Sequence, residues 1–229
     1  MDLIVFRQAD VLGERMKDRI ILILSPCCHK KKRGGTFAYS EESCIVQNLS
    51  CESAMKLLEL RKMVGTAFDD KHGPDLAFGI TEPQIEYLEA CRRYAGHLYS
   101  EISAESWKKI SHTPELKLVI VSALYGLVNF NELIRYYNRT MKDHILHGRL
   151  LKTWWKQQGL SSIILDYVVQ NKVKKVHDFL STDYSQAATN LDSGLNGLGV
   201  NYFHHSYAGL GSGSDYHRGR DINALIQEY

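Results

Sequence analysis

Ile20-Ile21-Leu22-Ile23-Leu24-Ser25-Pro26-Cys27-Cys28-His29-Lys30-Lys31-Lys32-Arg33-Gly34-Gly35 is the stretch that decides the fold. Its opening is an unbroken apolar run rich in β-branched side chains, the pattern of a strand buried on both faces rather than one alternating between core and water. A strand covered above and below needs helices on both sides, so the run predicts an α/β sheet. Past Leu24 the chain turns small, polar and cationic, which places hydroxyl, thiol and ammonium groups at a strand's carboxyl end. In open α/β sheets that is the end where ligands bind.

Working outward, Leu118–Val121 and Val200–Phe203 read as further buried strands, with Lys175–Leu180 as an additional candidate. Between them, Glu52–Met63 carries apolar Ala54, Met55, Leu57, Leu58 and Met63 at helical spacing. Pro83–Ile102 is expected as a second helix, with Pro83 in its first turn and Ile85, Leu88, Cys91, Ala95 and Leu98 inward. A long helical region, Leu150–Val173, is expected to break near Gly159 and Ser161, and Asp221–Gln227 to form a last helix behind the loop Gly209–Gly213. The expectation is a single α/β domain over residues 1–229, with a central mixed or mostly parallel sheet flanked by helices.

With 44% hydrophobic and 24% charged residues, the chain matches globular averages and excludes fibrous and disordered classes. Net charge is only +2, so any interaction with nucleic acid must come from local clusters such as Lys30 to Arg33 rather than from the whole surface. The five cysteines, Cys27, Cys28, Cys44, Cys51 and Cys91, are odd in number and follow no export-type apolar segment, so reduced thiols in a cytoplasm are expected. No run is apolar for the roughly 18 residues a membrane span requires, so no membrane association is expected.

Several strand ends could carry chemistry. The loop after the first strand suits an anion, or is a solvated basic turn; its glycines follow its lysines and no Gly-Lys-Ser/Thr occurs, which argues against a triphosphate-cleaving loop. Adjacent Cys27 and Cys28 lack the two-residue spacer with which one loop grips zinc, so neither metal nor other cofactor is expected. Either thiol beside so many lysines could instead be a nucleophile or an inert core group. At the second strand's end, Tyr125 could stack on a base with Gly126 allowing close approach, or simply pack. Asn138 and Arg139 sit in a polar, aromatic knot suited to a cleft. Asp183 reads either as a helix-start carboxylate or as the best placed catalytic one. Arg218 and Arg220 suit phosphate contacts in the approach to the last helix.

Taken together, these segments resemble the YaaA-like family of peroxide stress proteins. The resemblance rests on Leu24-Ser25-Pro26-Cys27-Cys28-His29-Lys30 and, more firmly, on Ser122-Ala123-Leu124-Tyr125-Gly126-Leu127-Val128. Tyr137, Asn138, Thr140 and Met141, then Ser181-Thr182-Asp183-Tyr184 and Arg218 to Ile222, are similar to later family segments. Tyr136 and Asn138 depart from it, standing where relatives often have proline and aspartate. The resemblance implies an α/β fold with a positively charged cleft, DNA binding and kinship with base-excising glycosylases.

The functional expectation is a DNA glycosylase that hydrolyses the N-glycosidic bond of a modified or damaged base flipped from duplex DNA. Asp183 would stabilise the sugar cation or activate water, Asn138 would orient that water, and Tyr125 would stack on the base. Ser25, Lys30, Lys32, Arg33, Arg139, Arg218 and Arg220 would hold the nucleic acid. The alternatives are a non-catalytic DNA-binding stress-response protein that recognises distorted duplex, and a thiol-dependent enzyme using Cys27 or Cys28.

Overall fold

The computed structural model describes residues 20–79 and 84–229. The opening apolar run is β1 (Ile21–Pro26), buried along its whole length. A 17-residue helix, α1 (Cys51–Ala67), follows, its first turn closed by the Ser50 side chain accepting from Ser53 N. Next come β2 (Tyr87–Glu89), the short helices α2 (Ala90–Arg93) and α3 (His97–Ser100), and α4 (Ala104–His112). The second long strand, β3 (Leu116–Ser122), returns antiparallel as β4 (Gly126–Asn129). Short pairs follow, β5 (Leu133–Arg135), β6 (His144–Ile145) and β7 (Arg149–Leu150), and then helices α5 (Leu151–Gln157) and α6 (Leu160–Gln170). Last are β8 (Lys175–Asp178), α7 (Thr182–Ala187), α8 (Leu191–Gly197), β9 (Asn201–His204) and α9 (Ser214–Glu228).

The fold is α/β, with a five-stranded sheet in the order β4-β3-β1-β8-β9 flanked by helices. β1 lies at the centre, parallel to β3 on one side (Ile21 opposite Leu116) and to β8 on the other (Ile21 opposite Lys175). β9 extends the parallel ladder from β8, and only the β4 edge is antiparallel. The chain runs from β1 outward to β3 and β4, then crosses to β8 and β9 on the other side of β1, so the carboxyl ends of β1 and β8 flank the point where the strand order reverses, the position that favours a ligand site.

Four expectations need correction. Val200–Phe203, expected as a buried strand, falls mostly on β9, an edge strand whose residues are exposed or half-buried. Pro83 lies outside the described residues, and Gln84–Ile102 is not one helix. Tyr87–Glu89 pairs with β5, and Tyr87 also exchanges backbone bonds with Thr36. Arg93, fully buried, turns its planar fork inward onto the carbonyls of Lys32 (2.6 Å), Gly34 (2.9 Å), Glu86 (3.0 Å) and Ile134 (3.2 Å). Five fixed donors satisfied by carbonyls of the basic loop, of Glu86 and of β5 outweigh the apolar periodicity. The long helical region does break at Gly159, whose φ of +80° suits glycine, but Ser161 lies inside α6. The last helix starts at Ser214, ahead of the expected Asp221.

Candidate functional site

A cavity of about 580 Å³ opens at the carboxyl ends of β8 and β9, walled by Ser181, Thr182, Ser185, His204, His205 and Arg218 among others. Three elements converge to make it: the turn from β8 into α7, the end of β9, and the first turns of α9. The Tyr207–Gly211 segment closes one side. Alternation along the two strands sorts their side chains by face. Asp178 meets Tyr202 and His204 on one face, while His177 meets Phe203 and His205 on the other.

Asp178 is buried and heavily used. It accepts from Leu180 N at 2.8 Å and Tyr202 Oη at 2.5 Å, and lies 3.3 Å from Nδ1 of His204, whose side chain is 46% exposed. His205 is fixed differently: its ring stacks on Phe179 at 4.0 Å, its Nε2 stands 3.1 Å from Nδ1 of His177, and burial lowers its basicity. Arg218 is 4% exposed and lies 4.8 Å over the Tyr207 ring, with Nη1 on Asp215 at 2.6 Å. Its Nε is buried and has no hydrogen-bond partner among the described residues. A cation lining a polar cavity with a donor unspent is a group built to meet an anion.

The end of β1 holds a second, tighter cluster. Cys27 Sγ is 2.9 Å from Tyr184 Oη and 3.6 Å from Tyr137 Oη, which in turn contacts Tyr94 Oη at 2.8 Å and Ser122 Oγ at 2.9 Å. Lys31 lies over the Tyr137 ring at 4.2 Å, and burial lowers its pKa against the opposing influence of Cys27, Cys28 and Asp143. Burial pushes Cys28 up to about 12, outweighing the lowering by Lys31, so its thiol stays protonated.

The expected site residues do not gather in one place. Ser25 is fully buried under Tyr99, 3.4 Å from its Oη. Tyr125 presents no face to a ligand: it is enclosed, donates to Asp75 at 2.5 Å, accepts from Arg135 N at 3.0 Å, and belongs with the buried Asp75–Arg135 pair (2.6 Å). Asn138 is exposed. Asp183 is held by Lys152 at 2.6 Å and Lys142 at 3.6 Å and is not among the residues lining the strand-end cavity. Lys30 is exposed, Lys32 lines a separate groove with Trp107, and Arg33 packs over Tyr136 at 4.6 Å. Arg139 lies over Phe68 at 4.5 Å, 3.8 Å from Asp70. Arg220 points to Glu101 at 2.9 Å on the surface. Of the residues given a catalytic or nucleic-acid-binding role, Arg218 alone lines the strand-end cavity.

Reading the sequence missed Asp178 and His204, and took Lys31 only as one member of a basic cluster. The signal was present for both: an aspartate inside a candidate strand, and a His-His pair immediately after another. Their significance lies in β8 and β9 being neighbours, which no local pattern states. Among the described residues no helix is long and apolar enough to cross a membrane, no cluster of three metal-ligating side chains occurs, and the five thiols are free.

The family model described as peroxide stress protein YaaA matches residues 38–203, most of the chain. A UPF0246 protein of Francisella tularensis subsp. novicida (strain U112) is 29% identical over 96 residues, 41% of this chain and 37% of that protein. The UPF0246 protein of subsp. mediasiatica (strain FSC147) matches with the same identity and extent. The aligned stretch therefore spans well under half of these curated relatives.

Proposed function

The chain belongs to the peroxide stress protein YaaA family, and from that premise we propose that it is a hydrolase of N-glycosidic bonds acting on a modified or damaged base in DNA, with the strand-end cavity as its site. The observation that carries the reading is Arg218: a buried guanidinium with an unspent Nε, set beside strand-end hydroxyls in a cavity of about 580 Å³. A phosphodiester offers oxygens to such a group, and the neighbouring Ser181, Thr182 and Ser185 supply donors of the kind that hold sugar-phosphate. A cavity of this volume falls in the range that encloses a single nucleotide-sized ligand. Asp183 leaves the role first expected of it, because two lysines already neutralise it.

The test is direct. Duplexes carrying uracil, hypoxanthine, 8-oxoguanine or 5-hydroxymethylcytosine are incubated with the protein and then cleaved with alkali. Alkali-labile abasic sites in at least one duplex are expected. Arg218→Gln should weaken binding of 2′-deoxyadenosine 5′-monophosphate by about tenfold or more, the value of one charge-assisted hydrogen bond. Binding of duplex without any abasic product would favour the non-catalytic, distortion-recognising alternative.

A further inference from the structure

We infer that His204 is the proton-transferring group of the strand-end cavity and that Asp178 is the residue that positions it; the inference rests on the hydrolase reading above. The argument is geometric. Asp178 is 2% exposed and already takes hydrogen bonds from Leu180 N and Tyr202 Oη, so its place and its orientation are fixed by the turn that follows β8 and by the neighbouring strand β9. A carboxylate so fixed 3.3 Å from Nδ1 holds the hydrogen of His204 on that nitrogen. The lone pair then resides on Nε2, on a ring that remains 46% exposed and lines the cavity. This is how a buried carboxylate fixes the tautomer of a histidine that must accept a proton.

The other titratable groups around His204 have different employment. His205 is committed to the stack with Phe179 and to His177. Tyr202 spends its hydroxyl on Asp178, and Tyr207 donates to Asp221 at 2.7 Å. Arg218, beside Asp215, is the cation for phosphate. That leaves His204 as the exposed base in the cavity whose partner lies behind it and not in front.

In the step this assigns, the oxygen of water forms a bond to C1′ of the sugar while its proton passes to Nε2 of His204. The C1′–N bond breaks, its electron pair leaves with the base, and the imidazolium returns the proton to that base nitrogen. Substrate and water become a sugar with a C1′ hydroxyl and a free base, with no oxidant, metal or other reactant consumed.

The experiment uses the intact chain and the most reactive duplex from the panel above. His204→Gln should bind 2′-deoxyadenosine 5′-monophosphate within about twofold of wild type while cleaving about 10²- to 10⁴-fold more slowly, the usual contribution of a positioned acid–base group. Asp178→Asn should cleave more slowly, and the ¹⁵N-resolved imidazole spectrum should show Nδ1–H at His204 in the wild type and a tautomer mixture in Asp178→Asn. Wild-type cleavage matched by His204→Gln, or an Nε2–H tautomer in the native protein, overturns this inference and leaves the hydrolase reading standing. Absence of cleavage by the wild type on every duplex overturns both.

Discussion

At the residue scale, one buried charge is closed by another. Arg61 and Glu132, both essentially unexposed, meet at 2.8 Å, and Arg61 also donates to the carbonyls of Tyr125 and Leu127 at 3.2 and 2.6 Å. Removing one partner leaves a buried charge unpaired, so Glu132→Ala should lower unfolding free energy by about 3–5 kcal/mol, measured by urea denaturation. His177 makes the opposite kind of demand. Burial, with His205 and Lys175 nearby, pushes it down from 6.5 to about 4, so between those values the unfolded chain takes up a proton that the folded chain refuses. Stability is therefore lost as pH falls through that window, and His177→Phe, stacking on Phe203, should flatten the dependence of the urea midpoint there. What was legible at this scale was the type of residue and seldom its partner. Tyr125 was conspicuous beside Gly126, yet Asp75, which captures its hydroxyl, stands far away in the chain.

At the element scale, β1 and β3 were legible because buried strands must be apolar whatever they pair with, whereas β8 carries His177 and Asp178 and β9 is an exposed to half-buried edge strand. Gln84–Ile102 was not legible, because Arg93, polar on paper, is buried and binds the carbonyls of the basic loop and of β5. Arg93→Ala should release that loop, seen as faster amide exchange at Lys32 and Thr36, whose backbone bonds to Arg93 and Tyr87 it supports. The α9–α3 contact is equally unforgiving. A Cβ on Gly219 would sit 2.2 Å from Leu98 O, and the obstacle is backbone. Gly219→Ala should therefore push α9 away from α3, costing about 1–3 kcal/mol in a denaturation experiment and loosening the adjacent Arg218.

At the scale of the whole molecule, an Arg218-lined cavity needs β8, β9 and α9 together, and no single stretch of sequence announces it. The strand order also governs how the chain is made. β1 is the first strand of the sheet to leave the ribosome, and its two partners, β3 and β8, lie far along the chain, the second of them beyond Asn171. Until β8 is synthesised, the most apolar ribbon in the protein has one bare row of amides and carbonyls, an invitation to other nascent chains. A chain stopped after Asn171 should consequently accumulate as aggregate in a sedimentation assay where the full chain stays in the supernatant. Completion of the polypeptide, and not local folding, is what makes its central ribbon safe.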